Sequence, residues 1–183
     1  SNILSSKITG TAVNNAPVNE VPGATGTLED VPLVFSKTVG ETISIRDEDA
    51  GESPVQVTLT ATNGTVRLSL AGTTGLTVTG DGTGTVTATG ALTNLNQALN
   101  GLSFSPTQNY SGAASLRIVT SDQGNTGTGG SKSDDDTISI TVMAVNDAPV
   151  NSVPSAQTTL EDIPLVFSTA NGRLISISDV DVG

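Results

Sequence analysis

The sequence has no cysteine, histidine or tryptophan, and its 183 residues include one tyrosine and three phenylalanines. Without cysteine there is no disulfide framework and no thiolate metal site, so something other than covalent cross-links has to stiffen the fold. With no histidine, no thiol and no G-x-S-x-G nucleophile elbow, the usual acid–base and nucleophilic groups of an enzyme are missing, and a non-enzymatic role is expected. So few aromatic rings do not make a sugar-stacking platform. Bases are scarce too: 7 Lys and Arg stand against 18 Asp and Glu, a net charge of -11. That balance disfavours nucleic acid and anionic membrane surfaces and leaves cations as the natural counterpart. No apolar run approaches the roughly 20 residues of a membrane-spanning helix, so direct membrane insertion is not expected.

What is abundant is Thr, Ser, Val, Gly and Asn, an all-β composition punctuated by Gly and Asn-Gly. The strongest feature is a repeat. Residues 14–51 return at 146–183, 132 positions later and without a gap, with 24 of 38 residues identical. A fixed-period repeat of this length marks a tandem array rather than one fold with a private active site. The same shift lays residues 6–13 over 138–145. The expected organisation is therefore the last strand of one unit over 1–13, a complete unit over 14–145, and the linker and first strands of the next over 146–183.

Within the complete unit, Asn14-Asn15-Ala16-Pro17 is a short, stiff linker. A first strand over Thr25–Phe35 is broken by Glu29-Asp30 and Pro32, as suits a sheet edge. Thr42–Ile45 alternates and ends in Asp47-Glu48-Asp49. Alternating runs on either side of Asn63-Gly64 are the strongest hairpin signal, and a weaker one joins Leu76–Val78 to Val86–Ala88. Leu92, Leu95 and Leu99 have helical spacing, Asn94 and Gln97 resemble a capping box, and Asn100-Gly101 supplies a stop. Strands follow from Leu102 to Pro106, through Leu116, Ile118 and Thr120, and through Ile138, Ile140 and Val142. Tyr110 is expected to bond backbone at a corner rather than to stack on a ligand. About seven strands with one short inserted helix imply an antiparallel Greek-key β-sandwich.

Counting strand directions gathers Asp47, Asp49, Asp122 and Asp134–Asp136 at the pole where Asn14 and Asn15 arrive. Glu29 belongs at the opposite pole, with Asn146 and Asp147 and then Asp179 and Asp181 of the following unit. Clustered carboxylates repel unless a cation sits among them, and calcium takes 6 to 8 oxygens from carboxylates, carbonyls and water. The competing reading is that Asp, Asn and Gly crowd strand ends because turns favour them.

These same residues carry a resemblance. A-V-N-D-A-P-V at 144–150, D-x-D at 47–49 and 179–181, S-D-Q-G-N at 121–125 and F-S-P-T-Q-N-Y-S-G at 104–112 resemble the cadherin-like tandem repeats of large bacterial adhesins, including the RTX type. The resemblance implies Ca2+ as the cofactor. Its ligands would be Asn146 and Asp147 in the linker, with Asn14 and Asn15 as their counterparts, Glu29 and Glu161 in the first strand, Asp47, Asp49, Asp179 and Asp181 in the D-x-D pairs, and Asp122. It also implies a secreted or cell-surface spacer whose partners are the adjacent repeats of the same chain. Asn15 stands where the second linker has Asp147, and the unit is longer than a usual cadherin repeat, which implies fewer calcium ions per junction. A carbohydrate- or protein-binding module is the alternative function, which the inserted segment leaves open.

Overall fold

A computed structural model describes residues 10–124 and 127–182. Its contacts divide the chain into two units that meet between Ala144 and Val145. The protein is mostly β with one short helix, and the strands form several sheets.

In chain order the first unit has β1 (Val18–Glu20), β2 (Thr25–Leu28), β3 (Leu33–Phe35), β4 (Ser44–Arg46), β5 (Val55–Thr62), β6 (Gly64–Arg67), β7 (Thr77–Thr79), β8 (Thr85–Gly90), α1 (Leu92–Leu99), β9 (Leu102–Pro106), β10 (Gly112–Ser121) and β11 (Ser133–Met143). The second has β12 (Val150–Ser152), a 3-10 turn at Thr169–Asn171 and β13 (Ser176–Ser178). A six-stranded sheet runs β2-β11-β10-β5-β8-β7, a three-stranded sheet runs β3-β9-β6, and β1 pairs with β4. Pairing is antiparallel except between β2 and β11, which run parallel.

The strands exist because their alternating side chains share one core. Val55, Val57 and Leu59 of β5, Leu116 and Ile118 of β10, and Ile138 and Ile140 of β11 come from the larger sheet. Phe35, Val66, Leu102 and Phe104 come from the smaller one. Each such side chain contributes roughly 1.5 to 3 kcal/mol by leaving water.

The broken first strand is present. β2 lies at the edge of the larger sheet and β3 at the edge of the smaller, with Asp30 at φ 58° in the turn between them. The weaker hairpin is present as well, with Val78 opposite Ala88. The stronger hairpin signal misleads: β5 and β6 lie in different sheets, β6 pairing with β9. Asn63 takes φ 54° and Gly64 stays out of the left-handed region, so the pair bends the chain between sheets instead of closing a two-residue hairpin. Glycine is needed at 64 because a Cβ there would lie 2.5 Å from the Phe104 ring.

α1 also departs from expectation at its start. Its N-cap is Ala91, with no side-chain cap, and Asn94 lies inside the first turn. What holds the helix is burial of Leu95, Ala98 and Leu99 and a clamp from Asn96. The Asn96 Oδ1 accepts the Ile45 N–H and its Nδ2 donates to the Ile45 carbonyl, both at 2.8 Å. The amide thereby pairs with β4 as a neighbouring strand would. Tyr110 makes the expected corner, its hydroxyl donating to the Ala113 carbonyl at 2.6 Å and accepting from Asn63 Nδ2 at 2.8 Å.

Candidate cation site at the incoming linker

The segment Asn14–Asn19 lies along three strand ends of its own unit. β4 stops at Arg46, immediately before Asp47, and β10 stops at Ser121, immediately before Asp122. Asn15 donates its backbone N–H to Asp49 Oδ2 at 2.8 Å. Asn14 Nδ2 donates to Asp122 Oδ2 at 2.6 Å, and the Asn19 N–H donates to Asp134 Oδ2 at 2.7 Å. Asn19 Oδ1 in turn accepts from the fully buried Thr120 hydroxyl at 2.5 Å. The linker is thus fixed mainly through main-chain donors and acidic acceptors.

At the Asp47 corner, Asp47 Oδ1 accepts the N–H groups of Asp49 and Ala50 at 3.1 and 3.2 Å. Its Oδ2 is buried with no hydrogen-bond partner among the described residues. Burial is the largest influence on this carboxyl and pushes its pKa up, reinforced by the neighbouring Asp49 carboxylate. Asp47 also lines a depression of about 220 Å³ with Asn15, Ala16, Val18, Arg46 and Glu48. A half-buried acid with one unsatisfied oxygen on an open concavity is the chemistry a hard cation would complete. Among the described residues, no three Asp, Glu, His or Cys side chains converge as a metal cluster. Asp47 and Asp49 offer carboxylates at this corner, and further ligands would be Asn15, main-chain carbonyls and water.

The Asp122 corner is different. Asp122 is 3% exposed, and its Oδ1 accepts the N–H groups of Gly124 and Lys132, both at 2.8 Å. Burial alone would raise its pKa. The Lys132 and Gly124 amides, the Asn14 side chain and the Lys132 charge outweigh that and hold it below the ordinary carboxylate value. Asn125, the last residue of the S-D-Q-G-N motif, lies outside the described residues. So do residues 6–9 of the expected strand over 6–13; of the described remainder, Val13 makes a parallel bridge to Thr128.

Asp134–Asp136 were expected just ahead of the closing strand, but β11 begins at Ser133 and includes them. Asp135 there pairs with Arg117 on the exposed face. Glu29 is buried at the other end of the unit, its N–H donating to the carbonyl of Met143, the last residue of β11.

In the second unit the same local arrangement returns 132 residues on. The Asp147 N–H donates to Asp181 Oδ2, as Asn15 does to Asp49, and the Asp181 N–H donates to Asp179 Oδ1 at 3.0 Å, as Asp49 does to Asp47. β12 pairs with β13 as β1 does with β4. Asn146 and Glu161 are exposed.

Two contributors escaped the sequence reading. Lys132 donates its ammonium to the Asn14 carbonyl, a role signalled only by a lone base ahead of three aspartates. Asn19 carries no charge to mark it, although it recurs as Asn151. A cleft of about 420 Å³ lies beside α1, lined by Glu20, Lys37, Ser44, Asn96 and Asn100 among others, and it contains no aromatic ring. No helix among the described residues is long and apolar enough to cross a membrane. Comparison with protein-family models and with curated proteins finds no match to this chain.

Proposed function

We propose that the chain is a stretch of tandem cadherin-like repeats, each an antiparallel Greek-key β-sandwich, acting as a calcium-stiffened, non-catalytic spacer in a large secreted or surface-anchored bacterial adhesin. The observation that carries this reading is the doubled arrangement at the linkers. In both units the N–H of a linker residue is held by the second acid of a D-x-D pair, whose own N–H is held by the first. A turn serving only its own loop has no need of a linker residue from 34 positions upstream.

The residues fit a calcium ion at this corner, with Asp47, Asp49 and Asn15 as its holders in the first unit and Asp179, Asp181 and Asp147 in the second. The unsatisfied Asp47 Oδ2 supports that fit. Glu29 follows the end of β2, and Glu161 is its counterpart 132 residues on. The split of the first strand between β2 and β3 and the Tyr110 corner support the sandwich assignment. Bound calcium would supply positive charge to Asp47 and Asp49 and so tie a linker to the strand end beside it.

Extracellular modules bind calcium with Kd of roughly 0.1 to 1 mM, and a hundredfold excess over Kd stabilises by about 2.7 kcal/mol per site. The test is a thermal melt in EDTA and in millimolar calcium, with magnesium as control. A rise specific to calcium, lost in an Asp47→Asn, Asp49→Asn double variant, is expected together with a change in hydrodynamic size. No rise in midpoint and an unchanged size would overturn the proposal.

A further inference from the structure

The Asp122 corner lies beside the candidate calcium corner, yet its chemistry does not ask for a metal. A carboxylate that is 3% exposed must be compensated where it sits, since an unpaired buried charge is too costly to keep. Asp122 is compensated on both oxygens. Asn14 Nδ2 lies at 2.6 Å from Oδ2, and the Gly124 and Lys132 N–H groups lie at 2.8 Å from Oδ1. The contact is returned by the Asp122 N–H, which donates to the Lys132 carbonyl at 3.1 Å. Lys132 then extends its side chain so that Nζ lies 2.5 Å from the main-chain oxygen of Asn14. A linker carbonyl beside a strand-end carboxylate is the pair of oxygens a calcium ion would take. Here an ammonium addresses the carbonyl while amide hydrogens cover the carboxylate.

We infer that Lys132 is the resident cation of the Asn14–Asp122 corner, so that this corner of the incoming linker is clasped without any metal ion. A divalent cation taking the Asn14 carbonyl and Asp122 together would have to displace the ammonium from the carbonyl and face the positive ends of three N–H dipoles at the carboxylate. At Asp47, by contrast, one oxygen has no such donor. The inference does not depend on calcium binding at Asp47 and Asp49, though the two concern the same end of the unit. Together they divide the linker into a permanently tied start at Asn14 and a metal-responsive step at Asn15. Removal of calcium then leaves a tethered hinge rather than a free string.

The experiment is amide hydrogen exchange on the full 183-residue chain in EDTA and in calcium, for the unaltered protein and for Lys132→Met, which keeps the aliphatic stem and loses the charge. The main-chain amides of Gly124 and Lys132, both held by Asp122, report the clasp, and those of Ile118 and Ile140 report the intact core. In EDTA the clasp amides of the unaltered protein are expected to be protected, and Lys132→Met to lose that protection by at least about tenfold with the core amides unchanged. Clasp protection that appears only with calcium, or that survives in Lys132→Met, overturns the inference. If the variant loses its core protection as well, amine acylation of the unaltered protein in EDTA decides. Lys132 should react at least about tenfold more slowly than the exposed Lys37, and equal rates would reject the clasp. If calcium changes neither melting nor exchange, the spacer reading loses its calcium while the Lys132 comparison still stands on its own result.

Discussion

Asp47 and Asp122 are acids of the same type in the same position, just beyond a strand that ends at the incoming linker, and their surroundings push them in opposite directions. Asp122 is buried, but its donors hold the pKa down. A group with a depressed folded pKa contributes stability that is fully present above its unfolded value, near 3.9, and lost as pH falls through the folded value. Asp122→Asn should therefore cost roughly 2 kcal/mol at pH 7 and flatten the acid limb of a stability–pH curve below about pH 4, as read by urea unfolding. An unchanged acid limb would mean that other carboxylates govern it. Asp47 is raised, first by burial and then by Asp49, so its sign reverses: its contribution is present below the ordinary carboxylate value and disappears as pH rises through the folded one. Asp47→Asn keeps an oxygen for the Asp49 and Ala50 N–H groups and removes a disfavoured charge. Its melting midpoint in EDTA at pH 7 should rise while its response to calcium shrinks. A lower midpoint in EDTA would show that the charge is already compensated without metal.

The elements were legible where one local pattern decides and obscure where a partner does. Alternation in Val55–Leu59 and Val66–Leu68 correctly marks two strands with a buried face. It says nothing about whether the two share a sheet, because both sheets line one core. Asn63-Gly64 therefore read as a hairpin, whereas the Phe104 ring packed over Gly64 marks a crossing between layers. Gly64→Ala should cost roughly 1 to 3 kcal/mol, since the ring must move, and a loss below about 0.5 kcal/mol in urea unfolding would show that it moves freely. α1 was legible from its leucines, while Asn96, between them, carried no signal. Its value lies in satisfying both main-chain groups of Ile45, a residue 51 positions away. Asn96→Ala leaves those two groups of a buried strand unpaired and should cost about 2 to 3 kcal/mol, with faster exchange at the Ile45 amide. An Ile45 amide that stays protected in the variant would mean another donor or water takes over. The linker acids were found by counting strand directions. Lys132 is not legible, because a single lysine acting through its ammonium leaves no spacing to recognise.

At the scale of the whole molecule the two copies of the repeat have the same sequence logic and different surroundings. Ten of residues 14–51 are buried, and nine of these recur unchanged at 146–183, with Ala50 alone replaced, by Val182. Yet Phe35 is 0% exposed and its counterpart Phe167 is 45% exposed, and Ile45 at 3% corresponds to Ile177 at 72%. The covering surface accounts for the difference. Phe35 belongs to the core that β5, β9, β10, β11 and α1 share, whereas the described residues of 145–183 form a unit with no counterpart of those elements. Burial is thus a property of the pairing between the repeated segment and the body that follows it, which is why periodicity within the segment could identify the inward face but not its occupancy. Phe35→Ala should lose about 3 to 5 kcal/mol in urea unfolding of the full chain. Phe167→Ala, the same substitution in the same local sequence, should change stability by less than about 0.5 kcal/mol. Equal losses at both positions would mean that Phe167 is covered in solution, and the surface that covers it would then be the next feature to find.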